Sequence, residues 1–142
     1  MGREPVPTLT DFPWHLDIPT RWRDHDAYGH VNNAVHYSVF ETAIMRWLEI
    51  EHGMSTASGP VRCFTVENGC RYLAPLKHPT TMRCGLRVGR LGSSSVRYEL
   101  GVFDDDTCVA TGFVVDVFVS AEDERPVEIP GEFRRVLGLL AL

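Results

Sequence analysis

The sequence predicts an α+β fold, in which one long helix is covered by a leading strand and a four-strand meander. Three observations carry that prediction. Val35, Val39, Phe40, Ala43, Ile44, Trp47 and Leu48 recur at spacings of three, four and five, the apolar stripe of a helix that another layer must cover. After Pro60 the apolar period changes to two, as strands require. Turn signals then divide the chain at Gly92-Ser93-Ser94 and Asp104-Asp105-Asp106.

Residues 1–13 carry three prolines and few apolar anchors, and are expected to form an irregular arm. His15 to Arg23 alternates Leu16, Ile18, Thr20 and Trp22 with polar residues and reads as a strand; Pro19 places it at an edge or a bulge. Asn32 or Asn33 caps a helix expected over Ala34–His52, and Gly53 is its stop. Such a helix would be about 28 Å long at 1.5 Å per residue. Phe64 and Val66 share one strand face, and Asn68-Gly69 suggests a bulge before Cys70 and Tyr72. Met82 to Val88 and Val96 to Val102 alternate cleanly. Thr107 to Ser120 is more uniformly apolar, as an interior strand would be. A polar exit over Glu122–Pro130 precedes a short helix from Gly131 to Leu140. No repeat or second domain is evident, so residues 1–142 read as one domain.

Composition narrows the function. With 142 residues, 44% hydrophobic and 23% charged, the chain has the make-up of a globular protein large enough for its own core. A net charge of -5 leaves no basic footprint for nucleic acid. No apolar run approaches the roughly 20 residues that cross a bilayer, and the first residues lack a signal-peptide core, so a cytoplasmic protein is expected. Cys63, Cys70, Cys84 and Cys108 form no CxxC pair and read as reduced thiols, the last two in apolar strands.

The chemistry concentrates upstream of the long helix. Asp24-His25-Asp26-Ala27-Tyr28-Gly29-His30 sets carboxylates and imidazoles just before a helix N-terminus, where unpaired N–H groups and a partial positive charge favour anions. Aspartates here serve turns and caps by default, since their side chains bond nearby backbone N–H groups. Asp24 is read that way. His25, His30 and His36 match none of the usual metal-ligand spacings, and no metal is expected.

The string RWRDHDAYGHVNNAVHY, residues 21–37, resembles the R-x-x-D-x-D-x-x-G-H-V-N-N signature of hot-dog-fold thioesterases of the 4-hydroxybenzoyl-CoA thioesterase type. Weaker likeness continues through Arg71-Tyr72-Leu73-Ala74-Pro75-Leu76, the Gly92 turn and Val127-Glu128-Ile129-Pro130, so it spans roughly residues 15–137. The resemblance implies a five-stranded antiparallel sheet wrapped around one long central helix. It implies protomers that pair into a homodimer or homotetramer with active sites at the interface. It also implies hydrolysis of an acyl-CoA, or acyl-carrier-protein, thioester in which Asp26 does the chemistry and no cofactor takes part.

Physical chemistry agrees with that assignment. Asp26 can attack the thioester carbonyl or activate a water, while backbone N–H groups near Asn33 polarise the carbonyl oxygen. His30 either orients substrate or ties the loop backbone. Asn32 is a cap and loop tie, and Glu41, two turns into the helix, is a reserve carboxylate because related families place a helical glutamate at this chemistry. Arg71, Lys77, His78, Arg87 and Arg90 are the candidate partners for the CoA phosphates. A hot-dog hydratase and a non-catalytic module that binds an acyl thioester or a partner are the alternatives.

Overall fold

The structure, a computed structural model, describes residues 4–141. Five strands, β1 (Trp14–Pro19), β2 (Val61–Tyr72), β3 (Thr81–Leu91), β4 (Ser95–Asp104) and β5 (Thr107–Ser120), form one sheet in the order β1-β3-β4-β5-β2. Every pairing is antiparallel. The β3–β4 and β4–β5 hairpins turn where the sequence punctuates them, and Asp105 takes the left-handed backbone its two-residue turn needs, at φ 51°. The leading strand crosses back to pair with β3, so Pro19 sits on an edge strand, where its missing N–H does no harm.

Helix α1 (Val35–Met45) lies on one face of this sheet. Val39, Phe40, Ala43 and Ile44 are buried beneath it, and Trp47 and Leu48 extend the stripe. The sheet answers with Met82, Cys84, Leu86 and Val88 from β3, Val96, Tyr98, Leu100 and Val102 from β4, and Val114 and Phe118 from β5. Helix α2 (Gly131–Gly138) closes one end, stacking Phe133 on Phe118 at 5.2 Å. This is the hot-dog arrangement.

Three expectations need correction. The long helix does not run as one α-helix to His52. From Arg46 to Glu51 its hydrogen bonds widen to a π-helical turn, before Gly53 ends it at φ 63°. The first strand stops at Pro19, and Trp22–Asp24 is a 3₁₀ turn pinned by Asp24. The bulge in β2 falls between Thr65 and Glu67, at Val66, rather than at Asn68-Gly69. Gly69 is there because a Cβ would come within 2.6 Å of the Phe113 ring. Residues 4–13 are irregular apart from a 3₁₀ turn at Leu9–Asp11, and Phe12 anchors them, buried edge-on against Phe103 in a slot kept open by Gly85 and Gly101.

Candidate active site

The turn leading into α1 is built by its own side chains. The Asp24 carboxylate, 2% exposed, accepts from Arg21 Nη2 at 2.8 Å, Arg21 Nε at 3.1 Å and the Arg21 backbone N–H at 2.7 Å. Burial pulls this carboxyl up, but the Arg21 bonds outweigh it and hold the group below the usual carboxylate range. Its carbonyl accepts the Asn32 N–H at 2.8 Å, which ties the turn to the helix start.

Asp26 is held differently. Oδ1 accepts the backbone N–H of Tyr28 at 2.8 Å and of His30 at 3.2 Å, while Gly29 makes the tight turn at φ 74°. Oδ2 has no hydrogen-bond partner among the described residues. The half-buried carboxylate is thus fixed in place by one oxygen and left free at the other.

At the helix start, Asn32 Oδ1 accepts the Ala34 N–H at 3.0 Å, and its carbonyl accepts the Val35 N–H at 2.9 Å. The Asn33 N–H donates to nothing among the described residues. The Asn33 carbonyl accepts Tyr72 Oη at 2.9 Å and lies 3.2 Å from His36 Nδ1, which fixes the peptide plane. His36 is 3% exposed and edge-on to Tyr72 at 5.0 Å. Burial lowers its pKa against the backbone bonds that raise it, so the neutral imidazole is favoured. Burial likewise pushes the Tyr72 phenol up to about 12, keeping it a donor.

Asp26, His30, Asn33, His36, Tyr72 and Leu76 line one cleft of about 390 Å³. Sequence reasoning missed two of these, His36 and Tyr72. His36 was weighed only as a metal ligand; the signal available was a histidine three residues after Asn33 on the stripe of the helix. Among the described residues no three His, Cys, Asp or Glu side chains converge as metal ligands do.

The remaining candidates are dispersed. Lys77 pairs with His30 in an isolated bridge, and His78 stacks on His25 at 5.2 Å beside the turn. Arg71 points to the outer sheet face, 3.6 Å from Glu4. Arg87 lies 3.4 Å from Glu99 and over the Phe12 ring. Arg90 sits near the far end of β3, nine residues or about 30 Å along the strand from Thr81. Glu41 lies on α1 by Thr65 and Asp116, with its pKa raised by burial and by Asp116. A larger cleft of about 440 Å³ on the outer face meets the first only at Leu73, and its carboxylates, Glu4 and Glu99, are both paired with arginines.

The fold and this helix-start cleft define a class of protein, hot-dog proteins with a carboxylate beside an amide. Residues 20–137 match the model of the thioesterase-like superfamily, and the chain belongs to that family. It is similar to the PA5185 protein of Pseudomonas aeruginosa strain PAO1, with 41% identity over 96% of this chain and 97% of that one, at a TM-score of 0.91. The PA2801 protein of the same species is 29% identical over 89% and 98%, at 0.81. In fold alone, the chain also resembles Slr0204, a 1,4-dihydroxy-2-naphthoyl-CoA thioesterase from Synechocystis, at 14% identity over 87% and 94% and a TM-score of 0.80. No curated protein matches the chain.

Proposed function

We propose that the protein hydrolyses acyl-CoA thioesters at the cleft between Asp26 and the start of α1. One observation carries this reading: Asp26 and Asn33 line the same cleft, each with a hydrogen-bonding atom left unengaged. A thioester carbonyl seated there would receive the Asn33 N–H on its oxygen, with the helix dipole behind it. Asp26 Oδ2 then has two routes. It attacks the carbonyl carbon, expelling the thiolate to give a mixed anhydride that water opens; or it takes a proton from a water that adds to the carbonyl before the thiolate leaves. Both routes end in free acid and thiol, and neither uses a cofactor. Lys77 and His78, beside the turn, are the side chains best placed to meet the CoA phosphates.

The resemblance supports a self-associating protein, and β2 supports it physically. This edge strand is 12 residues long and unpaired on one side, with Phe64 and Val66 exposed at 42% and 62%. A bare edge of this length invites a second copy of itself.

The test is a panel of acyl-CoA thioesters with thiol release followed by a colour reagent. Asp26→Asn should lose at least about a hundredfold in kcat, the scale of a lost general base or nucleophile. Single turnover in ¹⁸O-water tests the anhydride route, since label enters the Asp26 carboxyl only when water opens an anhydride at the aspartyl carbonyl. Full activity in Asp26→Asn would overturn the mechanism. A wild type silent on every thioester would favour a binding module.

A further inference from the structure

A second polar cluster lies two helical turns from Asn33, under α1, and the hydrolytic chemistry does not use it. Tyr98 on β4 is fully buried, and its hydroxyl has no hydrogen-bond partner among the described residues. Buried tyrosine hydroxyls ordinarily find one. Asp116 on β5 is 6% exposed and, among the described residues, accepts only the Thr65 hydroxyl, at 2.7 Å. Thr65 stands opposite Asp116 in the β2–β5 register, and Asp116 stands opposite Val96, two residues from Tyr98 on the same sheet face. That diagonal spacing is within reach of an aromatic side chain. Glu41 approaches from the helix and Cys63 from β2, and both act electrostatically on the Tyr98 phenol, as does Asp116. Among the described residues no lysine, arginine or histidine pairs with either carboxyl group. Burial raises the pKa of both, and of Cys63 to about 12, so the cluster is uncompensated as it stands.

Asn33, Tyr37 and Glu41 recur at four-residue spacing and so share one helix face. Opposite them, β2 presents Tyr72, Cys70, Asn68 and Thr65 on one face, with Tyr37 and Cys70 half-buried and Asn68 and Thr65 exposed. A chain that starts at the Asn33 amide can therefore run between helix and edge strand to Asp116. A hydroxyl suits the far end. It accepts from Tyr98 Oη and donates to the carboxylate, meeting both unmet needs at once. A methyl end meets neither, and an ammonium has no lone pair for the Tyr98 hydroxyl.

We propose that Tyr98, Asp116 and Thr65 bind a terminal hydroxyl of the acyl chain, so that the preferred substrate is the thioester of a long acid hydroxylated about 12 Å from its carbonyl, the eight-residue rise from Asn33 to Glu41. The inference rests on the thioesterase reading and assigns the substrate class of that same site.

The experiment compares decanoyl-CoA, ω-hydroxydecanoyl-CoA and ω-aminodecanoyl-CoA on the wild type, Tyr98→Phe and Asp116→Asn. The wild type should prefer the hydroxylated ester over decanoyl-CoA by about tenfold or more in kcat/KM, the discrimination of a site built to bond a hydroxyl. Each substitution should pull that ratio towards one. An equal or faster decanoyl-CoA rate in the wild type overturns the proposal. So does a ratio that survives in both variants, or a faster amino ester. If no thioester is hydrolysed, the thioesterase reading has failed. Calorimetric binding of decanoyl-CoA and ω-hydroxydecanoyl-CoA to the wild type then still tests the cluster, where equal affinities would sink it.

Discussion

Gly112 decides how closely the helix can approach the sheet. It lies on β5 opposite Cys70, directly beneath Phe40 of α1. A Cβ at this position would overlap the Phe40 ring and come within 2.8 Å of the Gly69 carbonyl oxygen. The ring is fully buried, and the carbonyl belongs to a paired strand. Gly112→Ala should therefore cost near the top of the range for overpacked cores, about 3 kcal/mol. At about 4 °C per kcal/mol for a chain of this size, that lowers Tm by roughly 10 °C. The helix can relieve the clash only by lifting, and Asn33 lifts with it. An amide displaced by about 1 Å should lose on the order of a hundredfold in kcat/KM. Differential scanning calorimetry and the thiol-release assay read the two effects. Phe40→Leu in the same chain should return part of the lost Tm, so the pair of substitutions costs less than their sum. A Tm for Gly112→Ala within about 2 °C of wild type, or strictly additive costs, would refute the packing argument.

Three further outcomes follow from the charges and the open edge. Asp24 is held below its ordinary value of 3.8, so its contribution is present above that pH and fades as acid protonates the folded carboxyl. Asp24→Asn should lower Tm by several degrees at neutral pH, and the gap to wild type should close in thermal melts below about pH 3. Asp116 has the opposite sign, because burial raises its pKa and the cost of ionising it appears only as pH climbs above 3.8. Asp116→Asn should match wild type in melts near pH 4 and gain several degrees by about pH 8, and an alkaline loss would contradict this. Val66→Lys, placing a charge on the exposed bulge of β2, tests the proposed pairing of that edge: light scattering should show the wild type as an assembly and the variant as a monomer with a measurable Tm.

The helix stripe, the two hairpins and the strand parities were legible because each is a local pattern with one physical cause. The departures came from contacts between distant residues. Asn68-Gly69 reads locally as a bulge, yet Gly69 serves the Phe113 ring from the neighbouring strand, and the extra residue is Val66. The π-helical turn over Arg46–Glu51 leaves the stripe of Trp47 and Leu48 intact, so no periodicity could announce it. Phe12 looked like a lone residue in a proline-rich arm until Gly85 and Gly101, far along the chain, supplied its slot. In the candidate site, Asp26, His30 and Asn33 lie within eight residues of one another and could be read together. Tyr72 joins them from 39 residues away through the Asn33 carbonyl, and Tyr98 finds Asp116 only through sheet pairing.

The strand order also dictates when the protein can form. β2 has a single neighbour, β5, and Thr65 waits 51 residues along the chain for Asp116. A ribosome delivers α1 and β2 well before the strand that pairs β2 and closes the core over Phe40. Loop closure of that length must precede any reward from the contact, which slows folding and prolongs exposure of apolar surface. Chains halted before Thr107 would hold the complete Asp26 turn and its helix, yet lack the strand that ties β2 to the rest of the sheet.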